Sequence, residues 1–179
     1  MKNHILCLML IMVLMITTSC QSLNNIDNST VSMKNGTITS DFSMLVPEDY
    51  EETSSDYIEK YFIKDNSASI IVTNEKNTHG YTTAKDYYNY AIQQYSSTFD
   101  NFQEISSQIT SVSDKYDAII SEFSYEITSE NGIISMTCYT EYILVGSNIY
   151  IVTCSSPTDT YSNYKDGFVQ SVNSVIIHI

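Results

Sequence analysis

Read for its hydrophobic and polar periodicity, the chain changes rhythm several times. The first change follows an unbroken apolar run of 12 residues, Ile5 to Ile16. After it, residues 20–37 carry Asn, Ser and Thr with scattered single apolar side chains and no period, the composition of a flexible tether. Residues 37–47 form a short apolar stretch closed by Pro47, which suits a strand ending where proline has no ladder hydrogen bond to donate. Tyr57 to Lys64 alternates and Ser67 to Asn74 is β-branched. Asp65 and Asn66 between them are turn formers, so these two segments predict a hairpin.

From Thr83 the period becomes helical. Thr83 with Asp86 three residues later resembles a capping box, and Ala84, Tyr88, Ala91, Tyr95 and Phe99 fall on one face. A phenol can bury its ring and leave its hydroxyl at the rim, so this tyrosine stripe is read as core-facing. From Phe102 the period returns to two, in four segments starting at Phe102, Ala118, Ile133 and Ile149. Short turns between them make an antiparallel meander.

Asn131-Gly132 is the strongest hairpin signal in the chain, because a type I′ turn needs positive φ at both central positions. Centring the turn there pairs Glu130 with Ile133, Ile127 with Met136, Tyr125 with Cys138 and Glu122 with Glu141, giving one apolar and one polar face. At the end of the chain, Ser156 as N-cap, Pro157 at the first helical position and Asp159 start a helix. Its predicted stripe is Tyr161, Tyr164, Phe168, Val172 and Val175. Gly167 inside it costs about 1 kcal/mol relative to alanine.

The resulting order, βββαββββα, predicts an α+β domain over residues 38–179: six to seven mainly antiparallel strands and two helices in an α/β/α sandwich. A chain of 179 residues has room for one such domain plus appendages. Charge narrows the chemistry. The net charge of −13 and the absence of arginine, all eight basic residues being lysine, argue against nucleic acid as a partner and against a phosphoryl-transfer site.

Lys2 ahead of the apolar run, and the small residues Thr17, Thr18 and Ser19 after it, have the grammar of a signal peptide over residues 1–19. As a helix the run would be roughly 18 Å long, short of the about 30 Å of bilayer hydrocarbon. The stretch Thr17-Thr18-Ser19-Cys20 resembles a bacterial lipobox, with Thr17 where that motif usually has an aliphatic residue. The resemblance implies cleavage before Cys20 and attachment of diacyl lipid, such as palmitate chains, to its thiol. Ordinary secretory cleavage would cut the same bond and leave Cys20 unmodified.

Two cysteines remain for the domain. A three-residue loop Val145-Gly146-Ser147 would set Cys138 opposite Cys154, whereas a two-residue Gly146-Ser147 turn pairs Val145 with Asn148 and sends the thiols to opposite faces. Glycine at the first central position favours the second arrangement, with two small buried hydrophobic side chains and no bridge. His79 and His178 have no partners at zinc-ligand spacing. Glu122, Glu126 and Glu141 share a predicted face, which fits either a calcium site or a solvated acidic face, and the overall acidity favours the solvated face. No G-x-S-x-G or P-loop occurs, so no catalytic residue, metal site or cofactor is assigned.

The element order, with Asp41 to Pro47 at the front, Gly146 to Ser156 late and Tyr161 to Val175 at the end, is similar to that of the PsbP-like/Mog-like α/β/α sandwich. Many small bacterial lipoproteins belong to that family. The family usually has a glycine before its fifth strand, where this chain has Asp114 to Ala118. The resemblance implies a non-enzymatic binding or assembly role at the extracytoplasmic face of a bacterial membrane, held there by lipid on Cys20, with an envelope protein as partner. The alternative expectation is a small-ligand or glycan binder, or a hydrolase using tyrosine stacking and paired carboxylates.

Overall fold

A computed structural model describes residues 31–179, apart from residues 56, 57, 59, 66, 130 and 131 and the side chain of residue 37. Cys20, the signal segment and most of the tether lie outside the described residues. Among those residues, ten strands form two antiparallel sheets. The smaller sheet joins β1 (Met33–Thr39), β2 (Phe42–Pro47) and β10 (Ile176–Ile177) in the order β1-β2-β10. The larger contains β3 (Glu51–Thr53), β4 (Tyr61–Lys64), β5 (Ala68–Lys76), β6 (Asp100–Val112), β7 (Tyr116–Ser129), β8 (Gly132–Val145) and β9 (Asn148–Pro157). Its order is β3-β4-β5-β9-β8-β7-β6. The meander β6 to β9 thus folds back to place β9 against β5 and leaves β6 at the far edge.

Helix α1 (Ala84–Thr98) covers one face of the large sheet, and helix α2 (Lys165–Asn173) with the small sheet covers the other. The α+β sandwich expected from the sequence is therefore the observed fold. The capping box is present: the Thr83 hydroxyl accepts from the Asp86 amide at 3.1 Å, and the Asp86 carboxylate accepts from the Thr83 amide at 3.0 Å. The Ala84 amide donates to Asp117 on β7 at 2.6 Å, tying the start of α1 to the sheet. Ala84, Tyr87, Tyr88, Ala91 and Tyr95 are buried, so the tyrosine stripe does face the core.

Five features differ from the sequence reading, one of them the two-residue strand β10, which follows the last helix and pairs with β2. The predicted first strand is a hairpin, β1 and β2, turning at Ser40 and Asp41, so residues 33–37 are strand where a tether was expected. Strand β3, too short to show alternation, adds to β4. The β7–β8 ladder closes on Ser129 opposite Gly132, with Gly132 at φ +119, and Tyr125 therefore faces Met136 and Phe123 faces Cys138. Asn131 lies outside the described residues. The shift is two residues, an even number, so every side chain keeps its predicted face while changing its partner.

The fifth difference is the last helix, which begins at Lys165 after a 3-10 turn at Tyr161–Asn163. The cap-like Ser156 and Pro157 are instead the end of β9, opposite Thr137 and Met136. Strand β8 is long enough to claim them, and Pro157 at a strand terminus forfeits little because it has no N–H to donate. The hydrophobic stripe survives this delay: Tyr161, Phe168, Val172 and Val175 are all buried.

Candidate binding surface

The large sheet presents three groupings of side chains that could take part in binding or chemistry. The first is its β6 edge. Strand β6 pairs with β7 alone among the described residues, and its outer main-chain groups are unpaired by any strand there. Natural edge strands are usually blunted by lysine or proline. The β6 sequence has neither, and its register irregularities, a third blunting device, lie before Ser106 and leave the rest of the strand regular. Ile105 and Ile109 are 51% and 59% exposed. The strand is irregular near its start, between Asp100 and Gln103 and between Glu104 and Ser106, then runs in regular register from Ser106 to Val112.

The second is an aromatic patch around the start of α1. The rings of His79, Tyr81 and Tyr90 stand 5.6 to 6.0 Å apart, centroid to centroid, in a triangle. Tyr87 underlies them, 5.6 Å from Tyr81 and 6.4 Å from Tyr90, and donates its hydroxyl to Glu75 at 3.0 Å. Burial, then the Glu75 carboxylate, raise the Tyr87 hydroxyl far above the usual phenol range. The patch is held by Asn77, whose side-chain amide bonds both the amide and the carbonyl of Tyr81 at 2.8 Å. The rings pack against one another too closely to cage a cation, but they offer half-exposed edges to a flat apolar partner.

The third lies between the sheet and α2. Glu141 is buried to 3% exposure, with one carboxylate oxygen lacking a hydrogen-bond partner. Burial alone pushes its carboxyl up to about 8, so it is held as the neutral acid near neutrality. Glu122, two rungs along on the same face, is held by an ion pair: Lys165 at the start of α2 approaches both its oxygens, at 2.9 and 3.0 Å. Burial, and then the Glu122 charge, raise the nearby Tyr161 hydroxyl far above the usual phenol range.

These positions decide the expectations about chemistry. Glu141 sits opposite Ile120 and Val152, not opposite Glu122. Glu126 accepts from the Asn101 amide at 2.5 Å and the Ser135 hydroxyl at 3.4 Å. No group of three or more His, Cys, Asp or Glu side chains suited to a metal ion occurs among the described residues. The three glutamates do not form the expected solvated face: Glu141 and Glu122 are buried, at 3% and 9% exposure, because α2 and the small sheet cover that side of the large sheet, and Glu126 is half-buried. The Gly146-Ser147 turn pairs Val145 with Asn148, and Gly146 takes φ +59. Cys138 and Cys154 are accordingly free and lie in separate cores on opposite faces of the sheet.

One pairing is invisible from sequence spacing. Strand β10 runs along β2, with Ile176 opposite Ser43, and so brings His178 Nε2 to 2.8 Å from the Ser43 hydroxyl across 135 residues. The His178 amide donates to the Asp41 carbonyl. Nucleophilic catalysis also needs the imidazole oriented by a third group, and among the described residues the hydrogen bond of this ring is the one to Ser43. The arrangement anchors β10 to β2.

No protein-family model matches the chain, and a search of curated proteins finds no significant match. Solved structures do match. Cyanobacterial PsbP (CyanoP) from Synechocystis superposes with a TM-score of 0.61 at 12% identity, covering 90% of this chain and 99% of that one. LpqN, involved in cell envelope biogenesis of Mycobacterium tuberculosis, gives 0.57 at 11% identity over 84% of this chain and 86% of its own. A Pseudomonas aeruginosa protein of unknown function gives 0.56 at 10% identity, covering 82% and 98%. At such identities the likeness speaks to architecture alone, and the architecture of this chain is the PsbP-like fold.

Proposed function

We propose that this chain is a lipid-anchored, non-enzymatic binding or assembly module on the extracytoplasmic face of a bacterial cell envelope. The observation that carries the reading is the N-terminal grammar: Lys2, an apolar run too short to span a bilayer, and Thr17-Thr18-Ser19 leading to Cys20. The likeness to LpqN, whose role lies in envelope biogenesis, and to cyanobacterial PsbP supports it. So does the distribution of the chemistry. The perturbed carboxyl, Glu141, is buried beneath α2, while the open β6 edge and the aromatic patch are surfaces suited to docking.

The test is the mass of the N-terminal peptide isolated from membranes after labelling with a clickable palmitate analogue. A diacylated Cys20 peptide is expected. An unmodified Cys20 on a chain found wholly in the soluble fraction overturns the anchor. Cross-linking in intact envelopes followed by pull-down should then recover a discrete protein partner, and recovery of nothing above background counts against the assembly role.

The aromatic patch favours a second reading, a small-ligand or glycan binder, since His79, Tyr81 and Tyr90 could stack on a sugar ring. Titration with wall-derived glycans distinguishes the two: saturable binding lost in Tyr81→Ala and Tyr90→Ala supports this alternative, and no binding removes it.

A further inference from the structure

We propose that the β6 edge of the large sheet accepts an extended, basic peptide segment of a partner protein as an added strand. The inference rests on the binding-module reading above and gives its partner a chemistry. Main-chain donors and acceptors along Ser106–Val112 are in regular register with β7, so the outer side of the strand is a straight template for further pairing. Ile109 projects from this template into solvent, ready to be covered by an apolar side chain of a guest strand, and Ile105 stands exposed at the irregularity just before it.

Charge selects the guest. Asp100 and Glu104 on β6 and Asp114 in the following turn are exposed and acidic. Lys115, in the same turn, reaches instead to the carbonyl of Ile179 at 3.2 Å. On the neighbouring strand the Glu122 charge is already matched by Lys165. The edge therefore offers uncompensated negative charge at both its ends, which a lysine- or arginine-bearing strand would neutralise.

The same charges disfavour a second copy of this chain. Antiparallel self-pairing along Ser106–Val112 would bring Glu104 and Asp100 of one copy towards Asp114 of the other at both ends of the shared ladder. Each copy carries a net charge of −13. Like charges directly opposite on paired strands are destabilising.

The experiment uses the full chain in detergent and three fluorescent decapeptides. One is basic and alternating, Lys-Val-Lys-Val-Thr-Val-Lys-Val-Thr-Lys; the second replaces each lysine by glutamate; the third keeps the lysines and replaces each valine by proline, which cannot pair as a strand. Anisotropy is read together with amide hydrogen exchange. The basic alternating peptide should bind at least tenfold more tightly than either control, slow exchange within residues 106–112, and lose at least tenfold in affinity in the charge-neutral Ile105→Ser/Ile109→Ser double variant. Equal binding of the proline peptide, protection elsewhere, or an unaffected double variant overturns the proposal. Dimerisation that protects 106–112 without peptide also overturns it, in favour of a second copy. A lipidated Cys20 and a recovered envelope partner alongside failed peptide binding would sink this inference alone and leave the binding-module function standing.

Discussion

Cys138 and Cys154 occupy adjacent strands yet face opposite sides of the sheet, because Cys138 is opposite Ser155 and Cys154 is opposite Tyr139. The two-residue turn at Gly146 sets that offset, so a disulfide would require the ladder to slip by one residue. Burial pushes the Cys138 thiol up to about 12 and the Cys154 thiol well above its usual range, which leaves little thiolate to react. Iodoacetamide should therefore leave both unmodified in the folded chain. In denaturant both should alkylate fully without reductant, as read by peptide mass. A requirement for reductant would show a bridge.

How far the sequence carries depends on whether the deciding interaction is local. The capping box at Thr83 and Asp86 and the turn at Gly146 are local, and both stand where the pattern puts them. Face assignment in β7 and β8 is also legible, because alternation survives any even register shift, whereas the partner of Phe123 depended on where one turn closed. The start of α2 lies later than the local pattern predicts because the signal at Ser156 and Pro157 competes with a ladder to β8, and tertiary pairing wins. The β6 edge and the Ser43–His178 bond arise from strand order, which no local pattern encodes.

Gly36 marks where the small sheet closes on the large one. A Cβ added there would stand 2.9 Å from Val46 Cγ1 and 3.2 Å from Phe62 Cζ, and both of those side chains are fully buried. Neither can retreat into solvent. Gly36→Ala should therefore destabilise the fold by about 1–3 kcal/mol, the usual cost of overpacking, measurable as a lower urea midpoint with unchanged slope. An unchanged midpoint would mean that the two sheets are less closely packed at this point.

The turn from β6 to β7 lacks the glycine usual before the fifth strand in the PsbP-like family, yet Ser113 and Asp114 both adopt positive φ, at +55 and +53. The Lys115 amide closes the turn on the Val112 carbonyl at 3.1 Å. Left-handed backbone costs a side-chain-bearing residue roughly 1–2 kcal/mol, less for aspartate and asparagine. Replacing the pair by Asn-Gly, the preferred residues of a type I′ turn, should raise stability by about 1 kcal/mol, and thermal melts of Ser113→Asn/Asp114→Gly check it. A lowered melting temperature would contradict the strain.

Glu141 gives the fold a pH dependence of definite sign. The unfolded chain loses this proton near 4.5, while the folded protein keeps it to about 8 because burial disfavours the carboxylate. Between those values the unfolded state binds fewer protons, so stability is fullest below about 4.5 and declines as pH rises towards 8, by at most about 1.4 kcal/mol per pH unit from this one group. Glu141→Gln keeps the shape of the neutral acid and removes the titration. The variant should therefore match the parent near pH 4.5, exceed it increasingly up to pH 8, and show a flatter stability profile in denaturant melts across that range. Parallel profiles for the two proteins would show that Glu141 is ionised in the folded state.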